Sequence, residues 1–121
     1  MIMNAEADKI KDGLVAIATE TFRFQRVFEK AISKLDIDEK NKYMSQYMWF
    51  SKRVGKTLDD VGIRVVSLEG QMYDPGMSVT PLNIDDFAVE DSLYIVQMIE
   101  PIIMQDDMVK KMGTVILGRV E

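Results

Sequence analysis

Met3, Ala7, Ile10, Leu14, Ile17, Thr21, Phe24, Phe28, Ala31 and Leu35 follow one another at alternating spacings of four and three residues. That is the heptad seam of a coiled coil or helical bundle, and it predicts one long helix over the first third of the chain. Val15, Ala18, Phe22, Val27 and Ile32 widen the apolar stripe beyond the seam. A stripe this broad fits a helix packed against more than one neighbour. Gly13 is its weak point and costs about 1 kcal/mol relative to alanine.

The pattern breaks at Leu35-Asp36-Ile37-Asp38-Glu39. Asp36 and Glu39 have the spacing of a capping box, with Asp38 as the competing cap. A second helix is predicted from about Glu39 to Asp60. Tyr43, Tyr47, Phe50, Val54, Leu58 and Val61 mark its seam, and Met44, Met48 and Gly55 lie on an adjacent ridge. Gly62 stops it as a left-handed residue. The short connection predicts antiparallel neighbours.

From Ile63 the period changes. IRVVSL, LYIVQMI, PIIM and GTVILGRV are short apolar runs rich in β-branched residues. Turn residues separate them: Asp85-Asp86, Asp91, Gln105-Asp106-Asp107 and Gly113. The expected fold class is α+β, a helical dimerisation hairpin over residues 1–62 and a small β-domain over 63–121. The β-domain is too small to cover the whole helical stripe, so the leftover face predicts a homodimer with a four-helix bundle. Leu14, Ile17, Phe24, Phe28, Tyr47, Phe50 and Val54 are its expected interface.

Composition narrows the chemistry. Of the 121 residues, 47% are apolar, as in a globular protein, and the net charge is −5. No basic run exceeds pairs such as Lys52-Arg53 and Lys110-Lys111. Nucleic acid and anionic membrane are therefore not expected partners. Cysteine and histidine are both absent. Their absence removes thiolate chemistry, disulfides, and the commonest general base and transition-metal ligand. No signal peptide and no membrane-spanning run is apparent, so a soluble cytoplasmic protein is expected. Asp85, Asp86, Glu90, Asp91, Asp106 and Asp107 are oxygen donors of the kind that suit Mg²⁺ or Ca²⁺. Their spacing matches no metal-binding loop, and turns and a solvated rim account for them. Trp49 is expected in the core. The ten methionines read as core filler or as an adaptable docking surface, with Met72 and Met77 the best candidates for exposure.

Those two methionines flank the stretch Gly70-Gln71-Met72-Tyr73-Asp74-Pro75. It resembles the Gly-x-x-Phe-Asp-Pro signature of the GrpE family of nucleotide exchange factors, with Tyr73 in place of Phe. Gly62 matches the end of the family's preceding helix. Phe28 to Ile32 are similar to its Leu-Glu-Arg-Ala-Leu segment. Lys111, Gly113, Val115 and Leu117 take the places of its last strand. The order helix, loop, helix, Asp-Pro turn, short strands is shared from about Thr21 to Leu117. After the Asp-Pro pair, Ser78 to Pro81 stand where the family has His-Glu-Ala-Val. Asp107 falls near a chaperone-contacting Arg. The family's N-terminal stalk is expected to be missing, as in a short paralogue or a fragment.

The resemblance implies a dimeric cochaperone, not an enzyme and without cofactor or metal, involved in stress responses, that docks on the ATPase domain of a DnaK-type chaperone and promotes ADP release. It implies partner contacts from Met72, Tyr73, Asp74, Pro75 and Met77, and from Met104, Asp107 and Met108. The alternative is a GrpE-fold dimeric adaptor or scaffold that has lost exchange activity.

Overall fold

A computed structural model describes residues 2–121, with side chains from Asn4 onward; the expected seam position Met3 lies outside the described side chains. The chain is α+β and divides into two compact units, Met1–Arg64 and Val65–Glu121. In the first, α1 (Ile2–Ile32) and α2 (Ile37–Asp60) form a hairpin. α1 ends three residues before Leu35, in a tight turn closed by Lys34 N–H to Ala31 O and Leu35 N–H to Ile32 O. Asp36 caps α2, its Oδ1 accepting from Glu39 N–H at 3.0 Å. Asp36 thus takes the role over Asp38, which falls with Glu39 in the first turn, where carboxylates suit the positive end of the helix dipole. At the other end Gly62 adopts φ +81°, and its N–H returns to Asp59 O.

The helices run antiparallel. Gln25 Nε2 donates to Ser51 Oγ at 2.8 Å, and Tyr47 Oη donates to Glu29 Oε1, so partners ascend on one helix as they descend on the other. Val15, Ala18 and Ile32 are buried on the same stripe as Gln25 and Glu29. On α1 the hairpin therefore closes mainly on the stripe beside the seam, whereas on α2 the seam residue Leu58 is buried. Ile10, Ile17 and Phe24, at the centre of the seam, are about two-thirds exposed. Trp49, expected in the core, is 64% exposed. The Arg53 guanidinium lies 5.3 Å from its ring centre.

The remaining chain forms β1 (Ile63–Val66), β2 (Val79–Pro81), β3 (Leu93–Glu100), β4 (Ile102–Gln105), β5 (Met108–Lys111) and β6 (Gly113–Arg119). They make two three-stranded sheets, ordered β1-β4-β5 and β2-β6-β3. Pro101 alone separates β3 from β4. Proline cannot donate to a ladder, so the chain leaves one sheet and enters the other there. β4 and β5 are joined by Asp106 and Asp107, both at positive φ (51° and 67°), as a two-residue hairpin turn requires. β6 pairs antiparallel with β3 and parallel with β2. The core is Val79, Leu93, Ile95, Met98, Ile102, Ile103, Val115 and Leu117. Gly118 faces Tyr94 across the ladder, and a Cβ at that glycine would sit 2.6 Å from Val96 Cγ2.

Two strands go beyond the expected runs. β2 is only three residues long and contains Pro81, a residue confined to sheet edges; its place is fixed by β6 rather than by its own pattern. Asn83 extends that pairing with its side chain. Its Nδ2 donates to Leu117 O and its Oδ1 accepts from Leu117 N–H, both at 2.9 Å. β5, Met-Val-Lys-Lys, is an exposed edge strand. Among the described residues, no helix is long and apolar enough to cross a membrane.

Candidate docking surfaces

The Asp-Pro segment is held against the outer edge of β3. Gly70, at φ +85°, donates its N–H to Ile95 O at 2.8 Å. Ile95 N–H returns to Gln71 O, and Tyr73 N–H donates to Leu93 O. Glu69 Oε2 continues the edge by accepting from Met98 N–H at 2.8 Å. These bonds occupy strand-edge groups that would otherwise be left open. The turn itself follows at once: Met77 N–H donates to Asp74 O at 2.9 Å, with Pro75 in the second position, where its fixed φ favours a β-turn. Asp74 and Pro75 are exposed, Met72 is 55% exposed, and Tyr73 and Met77 are half-buried.

Opposite this turn runs a segment not foreseen as part of a site. Ile84–Asp86 form one turn of 3₁₀ helix. Residues 87–91 close on themselves, with Ala88 N–H bonded to Asp91 Oδ2 at 2.9 Å and Asp91 N–H bonded to Ala88 O. Between the two walls lies a groove of about 620 Å³, lined by Met72, Tyr73, Ile84, Phe87, Val89 and Leu93 among others. Val89 is fully exposed and Ile84 is 41% exposed.

Met104, Asp107 and Met108 sit elsewhere, at the β4–β5 hairpin. None of them lines the groove. Met108 is 74% exposed and Met104 half-buried. The expected partner-contacting residues therefore fall into two places. Of the methionines, Met98 is buried in the core, and the plain filler reading applies to it.

The hairpin carries the other candidate surface. Ile17, Thr21, Phe24 and Phe50 line a shallow groove along it. A second hollow is lined by Phe24, Phe28, Tyr47 and Phe50. Phe24 and Phe28 stack with ring centres 6.0 Å apart, and Phe28 meets Tyr47 at 5.8 Å. Ile17, Phe24 and Phe50 are exposed, whereas Leu14, Phe28, Tyr47 and Val54 are half-buried. Burial, reinforced by the bond to Glu29, pushes the Tyr47 hydroxyl up to about 12.

Charge is divided unevenly. Of the 15 lysines and arginines, only Lys110, Lys111 and Arg119 follow Arg64, while half of the 20 carboxylates do. Lys111 lies 3.3 Å from Glu100, and Arg119 lies 3.9 Å from Asp91. Among the described residues, no three His, Cys, Asp or Glu side chains are grouped so as to hold a metal ion. The aspartates considered as oxygen ligands serve turns instead: Asp91 caps its loop and Asp106-Asp107 form the hairpin turn. Comparison of the chain with family models, with curated proteins and with solved structures finds no match.

Proposed function

We propose that this chain is a GrpE-like cochaperone. Two copies join through their helical hairpins into a four-helix bundle, and the β unit docks on the ATPase domain of a DnaK-type chaperone to promote ADP release. The carrying observation is an order along the chain. A hairpin with an uncovered apolar stripe (Ile10, Ile17, Phe24) comes first. A β unit follows, whose first loop is the exposed turn Gly70–Pro75.

The action is one of linkage. A factor that binds the open, nucleotide-free chaperone better than the closed ADP form must weaken ADP binding by the same factor, roughly 5–150-fold for ordinary couplings. Such a protein works through surface contacts and needs no acid–base pair. The test is the release of fluorescent ADP from a DnaK-type chaperone. Acceleration by the full chain is expected, and an unchanged release rate at saturating chain refutes exchange activity.

A second reading is favoured by one position. Asp107, near the place of a chaperone-contacting Arg in the family, is exposed at a left-handed turn and puts negative charge there. A dimeric adaptor without exchange activity accommodates that reversal. A pull-down that recovers a partner other than a DnaK-type chaperone, with no effect on ADP release, selects it.

A further inference from the structure

The groove beside the Asp-Pro turn has a chemical character that names its ligand. Its walls present large apolar side chains to solvent: Met72, Ile84 and Val89 are all more than a third exposed, and the half-buried Tyr73 and Phe87 also line it. Exposed apolar surface gathered at one concavity, rather than scattered, marks a binding site. Around it the charge is mostly negative. From Val65 to Val109 there is no lysine or arginine, and Asp74, Asp85, Asp86 and Glu90 are exposed carboxylates in this stretch. Asp91, which lines the groove, is the exception, since Arg119 lies 3.9 Å from it.

Several backbone donors of both walls are already engaged. Tyr73 N–H, Phe87 N–H, Ala88 N–H and Asp91 N–H each bond within the unit. Recognition there falls to side chains rather than to strand addition.

We propose that this groove docks a short cationic–apolar peptide segment of a partner protein. Its large apolar side chains fill the space between Met72 and Val89. Its lysines or arginines meet Asp85, which lines the groove, and stack on Tyr73 and Phe87. Nucleic acid and anionic lipid are disfavoured by the same carboxylates. The inference rests on reading the Asp-Pro segment as a partner-contacting surface. It does not depend on exchange activity, since ADP release can fail while the groove still binds.

The test uses the full chain and a short fluorescein-labelled peptide alternating Leu or Phe with Lys or Arg. Counterparts carry Gln or Glu in place of every cation. Anisotropy is expected to rank basic above neutral above acidic, with affinity falling as salt is added. The exposed double substitution Asp85→Lys/Asp86→Lys is expected to weaken the basic peptide about tenfold, and Val89→Asp to weaken both the basic and the neutral peptide. Amide shifts at Tyr73, Phe87 and Val89 locate the contact. Equal binding of the basic and Gln peptides, indifference to the charge reversal, absence of binding, or shifts confined to α1 and α2 would each overturn the proposal.

Discussion

The two units reach order by different routes. The β unit buries a continuous set of aliphatic side chains, with Ile95, Ile103 and Val115 fully enclosed. The hairpin is longer in sequence, yet it leaves Ile10, Ile17, Phe24, Val27, Met48 and Phe50 in solvent. Its interior includes a polar layer, Gln25 with Ser51 and Glu29 with Tyr47. Polar pairs between helices fix register better than they add stability. The hairpin therefore specifies an alignment while leaving much of its apolar stripe in solvent, whereas the β unit encloses its largest aliphatic side chains.

Ile95→Ala should strike the β unit hardest. Truncating a fully enclosed isoleucine costs about 2–5 kcal/mol, and hydrogen exchange should show the loss in β3 and β6 with the hairpin amides little changed. Equal loss of protection in both units would erase the distinction drawn above. Phe24→Glu probes the other side. Sedimentation is expected to shift from dimer to monomer, and the concentration dependence of hairpin unfolding should disappear. If the wild-type chain sediments as a monomer at every concentration, the bundle is wrong. Asp36→Ala removes the cap of α2 at a cost of about 1 kcal/mol, read as a lower urea midpoint for the hairpin alone.

The smallest effect concerns Tyr47. Its hydroxyl is raised from 10.0 to about 12, chiefly by burial and then by Glu29. Between those values the unfolded chain has lost the proton and the folded one keeps it. The stabilisation is thus fully present below pH 10 and fades as pH rises towards 12. Tyr47→Phe should flatten this alkaline decline in the hairpin's urea midpoint. An identical slope in the variant would mean that the tyrosine is not its source.

Much of this was legible in residue order. The four-three spacing marked both helices, and the caps Asp36 and Gly62 were set by local chemistry that needs no distant partner. The strands at Ile63, Leu93 and Gly113 announced themselves by β-branched runs between turn residues. What escaped depends on non-local pairing. Val79-Thr80-Pro81 has no strand signal of its own and is made a strand by β6. The inner face of α1 was hidden for a related reason: two apolar stripes lay side by side, and only the position of α2 decides between them. Of the docking groove, the Asp-Pro wall was visible, whereas Ile84, Phe87 and Val89 follow no period. The one signal that pointed to their setting was the long run without lysine or arginine.

The pair of hydrogen bonds between Asn83 and Leu117 spans 34 residues of sequence. β6, the middle strand of its sheet, follows both of its neighbours in the chain. On the ribosome, β2 and β3 therefore emerge before the strand that joins them, with their apolar faces uncovered until it arrives. The hairpin needs no such delay, because each of its contacts is supplied as α2 is made. Vectorial synthesis thus separates the two in time: the hairpin assembles as it appears, and the β2-β6-β3 sheet closes in a late step, before which it is most open to capture by a folding assistant or to aggregation.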